Sequence, residues 1–125
     1  MASNKRPKYL DLTQIKLPLP GMVSILHRAS GALLFLALPI MLYGFQQSLA
    51  SPAAFAAVKQ ALAHPLAKLF VLVLAWAYFH HFCAGLRYLA LDLHYGAALP
   101  RARASGKLVL VASLALTFLT GMWVW

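Results

Sequence analysis

Two short stretches gather nearly all the side chains that could do chemistry in an otherwise apolar sequence. The first is Ser24-Ile25-Leu26-His27-Arg28-Ala29-Ser30-Gly31. Ser24 and Arg28 stand four residues apart, so on a helix they share a face. His27 lies beside Arg28 and three residues from Ser24. Arg28 and His27 are candidate counter-charges for an anionic group. Gly31 omits a side chain where a partner helix or a flat ligand can approach. The competing reading makes His27 and Arg28 membrane anchors whose polar heads snorkel to the lipid headgroups.

The second stretch holds His80, His81, Gly85, Arg87, Tyr88 and Asp92. His81, Gly85, Tyr88 and Asp92 fall at i, i+4, i+7 and i+11, one helical face. His80 and Arg87 fall on another. An imidazole can ligate iron, and a glycine one turn later leaves room for a planar macrocycle; an axial His is a common haem ligand. The simpler alternative is that His81 hydrogen-bonds another helix. The lone Cys83 rules out a cysteine-built zinc site, a C-x-x-C-H haem attachment and a disulfide framework. It reads as a small buried hydrophobe.

These side chains need elements to carry them. The chain has 125 residues, 62% apolar and only 10% charged, against roughly 25% charged in soluble domains. Such hydrophobicity also excludes disorder. A helix needs ~20 apolar residues to cross a bilayer. No charge occurs between Arg28 and Lys59, and no charge follows Lys107. The expectation is therefore an all-α membrane protein: a single domain over 1–125, with an N-terminal segment at 1–23 and three transmembrane helices at about 24–49, 66–93 and 106–125. Pro39 is expected to kink the first span. Ser48 to Pro52 closes that span, His64-Pro65 opens the second, and Gly96 to Lys107 reads as a loop around Pro100 and Gly106. Trp123 and Trp125 suit an interfacial aromatic belt.

Orientation follows from charge. Lys5, Arg6, Lys8, Lys16 and Arg28 cluster at the N-terminal side, and Arg101, Arg103 and Lys107 between spans two and three. Between spans one and two stand only Lys59 and, just inside the next span, Lys68. The positive-inside rule then places the N-terminus in the cytoplasm and the C-terminus in the periplasm. No cleavable signal or Arg-rich transit peptide is evident, which favours a bacterial inner membrane protein. His81 follows Leu66 by 15 residues, roughly 22 Å along the helix. That brings it to the half of the membrane where Ser24 and Arg28 lie.

Three strings now stand in order: Arg6-Pro7-x-x-Leu10-Asp11-Leu12, then Ser24 to Gly31, then His81-x-x-x-Gly85-Leu86-Arg87 with Asp92 beyond. Together with the three-span layout and the Val-Trp ending, they resemble the cytochrome b556 subunit of bacterial succinate dehydrogenase over nearly the whole chain. The resemblance implies a membrane anchor that pairs with a second three-helix subunit and carries an iron–sulfur subunit and a flavoprotein. It implies haem b shared between the two anchors, ubiquinone as substrate, the lipid membrane as environment, and no nucleic acid. By position, His81 matches the axial haem ligand and the metal-binding residue. Ser24 and Arg28 match quinone-site residues, and His27 and Arg28 match residues near the haem propionates. Some relatives carry His where this chain has Tyr88, which bears on the tuning of the haem potential. His80 is a rival ligand, but the spacing to Gly85 favours His81.

On that resemblance, electrons from succinate reach ubiquinone through partner subunits. Ser24 would hydrogen-bond a quinone carbonyl, and Arg28 would stabilise the negative charge that develops there. No residue of this chain is expected to be catalytic alone. It has no dinucleotide fingerprint, and one cysteine cannot hold an iron–sulfur cluster. Other readings fit parts of the pattern. One is a haem-free anchor of a fumarate reductase-like complex. Another is a small homo-oligomeric transporter, against which stands the complete absence of glutamate.

Overall fold

The computed structural model describes residues 17–125. The first of the three strings, Arg6 to Leu12, and the cations Lys5, Lys8 and Lys16 lie outside the described residues. Among the described residues every regular element is helical: α1 Leu19–Ala50, α2 Pro52–Ala63, α3 Pro65–Asp92 and α4 Leu99–Val124. Three of them, α1, α3 and α4, are long and apolar enough to cross a membrane. The three expected spans are present, and a fourth, shorter helix is added to them. With 12 residues, α2 extends about 18 Å, too short to span, and it joins the ends of α1 and α3.

Local signals explain the extra helix. Ser51 caps α2 by accepting a hydrogen bond from the Ala54 amide at 3.0 Å, and Pro52 occupies the first turn. His64 then ends α2 and caps α3, its Nδ1 accepting from the Leu66 amide at 3.2 Å, with Pro65 in the next first turn. Proline in a first turn costs no hydrogen bond and is pre-set for helical φ. The same effect corrects the expected loop at 96–107. Pro100 lies in the first turn of α4, which begins at Leu99. α1 likewise starts early, at Leu19, with Pro20 in its first turn, and it continues unbroken through Pro39.

α3 ends in a tight reversal. The Tyr95 amide bonds the Ala90 carbonyl and the His94 amide bonds the Leu91 carbonyl, both at 2.9 Å. His94 takes the left-handed conformation at φ 63°, the position a glycine fills most cheaply in this motif.

α3 lies at the centre, packed on both α1 and α4. Lys68, near the start of α3, sits over the Trp125 ring at 5.1 Å. Arg87, near its end, reaches the first turns of α4. The two helices are therefore antiparallel. Small residues line the contacts: Ala77, Ala84, Ser30, Gly106 and Ser113 are all buried. A Cβ added at Gly106 would meet Leu19 Cδ2 at 3.1 Å. This is how helices associate in lipid, where burial of apolar area gives no advantage and close backbone approach replaces it. Large apolar side chains such as Phe35, Phe45 and Phe118 point outward, as expected where the solvent is hydrocarbon.

Candidate functional site

Ser24, His27 and Arg28 occupy the first three turns of α1, as the four-residue spacing requires. Arg28 folds back along its own helix. Its Nη2 donates to Ser24 Oγ at 3.2 Å and its Nε to the Ser24 carbonyl at 3.5 Å. Ser24 is half-buried and Arg28 exposed, so the pair forms a polar notch on the outer surface of the bundle. Because the guanidinium can only donate, the Ser24 oxygen is an acceptor in this bond. Its own proton stays available to a second group. Hydroxyl and guanidinium together therefore present donors to one incoming oxygen.

Three turns from the end of α3, His81 crosses to α1. His81 Nδ1 lies 3.0 Å from the His27 carbonyl. A carbonyl cannot donate, so this nitrogen must carry the ring proton. Nε2 is left with an in-plane lone pair. Ser30 joins the same node: its hydroxyl donates to the His27 carbonyl at 2.9 Å and lies 3.5 Å from His81 Nδ1. The two imidazoles stack with centroids 4.2 Å apart and planes 10° from parallel. Tyr88 tilts against His27 at 5.2 Å, and its buried hydroxyl has no partner among the described residues.

This arrangement suits the haem that the resemblance implies. A histidine ligand commonly donates its second ring N–H to a carbonyl, which fixes the tautomer and aims the other nitrogen at the metal. His81 is built that way. Among the described residues no group of three or more metal-ligating side chains gathers. A haem can take as little as one imidazole from a chain.

His80 behaves differently. It is fully buried and stacks on Trp76 at 5.4 Å. Both of its ring nitrogens lack hydrogen-bond partners among the described residues. Its ring is closed off from the surface of the bundle. Arg87, also buried, acts between helices: Nε donates to Ser105 Oγ at 3.0 Å and Nη2 to the Ala102 carbonyl at 3.1 Å. The guanidinium thus pins the end of α3 to the start of α4.

Two details were not legible from spacing. The sequence reading gives Gly85 the task of leaving room for a planar macrocycle. In the structure a Cβ at Gly85 would meet only His27 Nε2, at an ordinary 3.7 Å. The tight position is Gly31, where a Cβ would lie 2.7 Å from His81 Cε1. The close approach expected at Gly31 is thus made by His81, and Ser30, buried on α1, is the contributor that the sequence reading missed. The Ser-Gly pair inside the first motif was its only sequence signal. A separate apolar groove of about 890 Å³ opens between α1, α2 and α3, lined by residues including Leu34, Tyr43, Phe55 and Lys59, and Ser24, His27, Arg28 and His81 are not among its lining residues.

Comparison with known proteins brings these residues into one frame. The model of the succinate dehydrogenase/fumarate reductase transmembrane subunit family matches residues 2–120. The chain is 39% identical over 122 residues to the succinate dehydrogenase cytochrome b556 subunit of Coxiella burnetii, covering 97% of this chain and 98% of the relative. It is similar to the subunit of the same name from Rickettsia felis, 32% identical with 97% and 93% covered. The Paracoccus denitrificans subunit of that name is 30% identical, with 92% and 88% covered.

Proposed function

Since the chain belongs to the succinate dehydrogenase/fumarate reductase transmembrane subunit family, we propose that it is the cytochrome b anchor of a succinate:ubiquinone oxidoreductase in a bacterial inner membrane. The chain is an integral membrane subunit of the respiratory complex, and in this reading haem b and ubiquinone both bind against it. The dehydrogenase chemistry belongs to a flavoprotein and an iron–sulfur subunit, and a second three-helix anchor completes the haem site.

The observation that carries the reading is the bond from His81 Nδ1–H to the His27 carbonyl. It leaves Nε2 as a metal-ready lone pair on a half-buried side chain. His81 would hold the haem iron from this chain, and the partner anchor would supply a second ligand. His27 and Arg28, on the same end of the bundle, would face the propionates. When bound, haem supplies one-electron storage beside the quinone site.

Ser24 and Arg28 would hold the quinone. The Arg28 guanidinium keeps the Ser24 oxygen in its acceptor role and so turns the hydroxyl proton outward, toward a quinone carbonyl. The guanidinium itself balances the charge that grows on that oxygen during reduction. Their position on the outer surface means that partner subunits close the pocket and exclude water. The protons that quinone reduction consumes come from water or partners, since Asp92 is the one acidic residue among residues 17–125.

Charge supports a cytoplasmic N-terminus. Arg28, Arg87, Arg101, Arg103 and Lys107 lie toward one end of the bundle, and Lys59 and Lys68 toward the other. The more basic end is retained in the cytoplasm, where the hydrophilic subunits would dock.

The test is the reduced-minus-oxidised spectrum of the purified complex. The wild type is expected to show a b-type band, and His81→Ala to lose it while the subunits still co-purify. A band that survives His81→Ala overturns the ligand assignment.

A further inference from the structure

We propose that Ser30 and Gly31 are positioning residues for the haem ligand: together they form a seat on α1 that sets the plane and height of the His81 imidazole. This rests on the haem reading above and goes beyond it, because both residues would act through His81 and not as ligands themselves.

The seat has three parts. The His27 carbonyl receives the Nδ1 proton at 3.0 Å and fixes the tautomer. A carbonyl in a regular helix is normally committed to the amide one turn later. Here it also accepts from the Ser30 hydroxyl at 2.9 Å and from an imidazole of another helix. The Ser30 oxygen, its own proton spent on that carbonyl, turns its lone pairs toward Nδ1 at 3.5 Å. The imidazole proton therefore faces two acceptors, both on α1, at 3.0 and 3.5 Å.

Gly31 completes the seat by shape. The ring lies so close to its Cα that a methyl group there would stand 2.7 Å from Cε1, 3.1 Å from Nδ1 and 3.7 Å from Nε2. Carbon atoms in contact keep about 3.5 Å or more. A side chain at 31 would thus push the imidazole away from α1 and stretch the bond to the His27 carbonyl. Ser30 is buried, with 1% of its surface exposed, so its hydroxyl has no water to turn to. Residues that orient a metal-bound histidine typically change metal affinity by about 10–100-fold when removed.

The experiment uses the assembled complex and two readouts besides activity: haem per complex, and the electron paramagnetic resonance spectrum of the ferric low-spin haem. The g-values of such a haem depend on the orientation of its axial imidazole planes. Gly31→Ala is compared with Gly44→Ala, the same change on the same helix where a Cβ would meet nothing within 4 Å. Gly31→Ala is expected to shift the g-values and to weaken haem retention by about 10-fold or more, with Gly44→Ala unchanged. Ser30→Ala, which adds no volume, is expected to shift the g-values with the subunits still assembled, and it decides the matter if Gly31→Ala does not assemble. Full haem content with wild-type g-values in both Gly31→Ala and Ser30→Ala, or in Ser30→Ala alone where Gly31→Ala does not assemble, overturns the seat. Failure of the haem reading looks different: the wild type shows no b-type haem, or His81→Ala keeps it.

Discussion

The imidazoles of His27 and His81 lie face to face, 4.2 Å between centroids and 10° from parallel, although 54 residues separate them in the chain. Each ring constrains the other through a different part of His27. The side chain stacks on His81, and the backbone carbonyl holds its Nδ1 proton.

That division can be tested by His27→Ala, which deletes the stack and keeps the carbonyl. The expected result is partial loss: haem per complex falls below wild type but stays well above the level in His81→Ala, which loses the ligand itself. Haem assay per purified complex measures both. Equal loss in the two variants would show that the His27 side chain, through its stack on His81 or its place facing the propionates, and not the carbonyl, governs haem retention.

The Ser24–Arg28 pair gives a graded prediction for quinone reduction. Arg28→Ala removes the cation and the donor to Ser24 Oγ, and is expected to lower succinate:quinone reductase activity by about 10²-fold, the scale of losing one donor to a developing oxyanion. Ser24→Ala removes one neutral donor and is expected to cost about 10-fold. Succinate oxidation with a soluble artificial acceptor should persist in both. Parallel loss of the two activities would point to failed assembly instead.

His80 separates burial from ligation. Both ring nitrogens are buried without a partner at hydrogen-bond distance, with the Val23 backbone offering a weaker contact, so replacing the ring by an apolar one of similar shape removes a cost that is at most partly compensated. His80→Phe is expected to keep the haem band and to leave thermal stability equal or higher by about 1 kcal/mol. Loss of the band with intact assembly would make His80 part of the haem site.

Arg87 should matter for stability and little for chemistry. Its two bonds to Ser105 and the Ala102 carbonyl tie α3 to α4. Arg87→Met is expected to destabilise the extracted complex by about 2–3 kcal/mol, the usual scale for hydrogen bonds from a charged group. Ser105→Ala, which removes one of the two acceptors, should cost less. The melting transition in detergent measures both.

The sequence by itself determined three spans, because a bilayer of fixed thickness demands long charge-free apolar runs, and such runs are visible residue by residue. It also determined the Ser24–Arg28 contact, because a pair four residues apart meets on any helix. The family resemblance was carried by the same short strings. Helix starts were harder to place. Pro52, Pro65 and Pro100 mark breaks in the sequence, yet each sits in the first turn of a helix, where its missing N–H costs nothing.

Only the tertiary structure decided which of two adjacent histidines lays its ring on Gly31 of α1. In lipid both faces of a spanning helix are apolar, so hydropathy does not encode its rotation about its own axis. That rotation is set by how closely small residues let backbones approach. Once α1 docks on α3, His80 turns into the core and His81 onto Gly31. A shift of one residue along α3 turns the helix by about 100°, and that rotation makes one histidine an enclosed core residue and the other a candidate ligand.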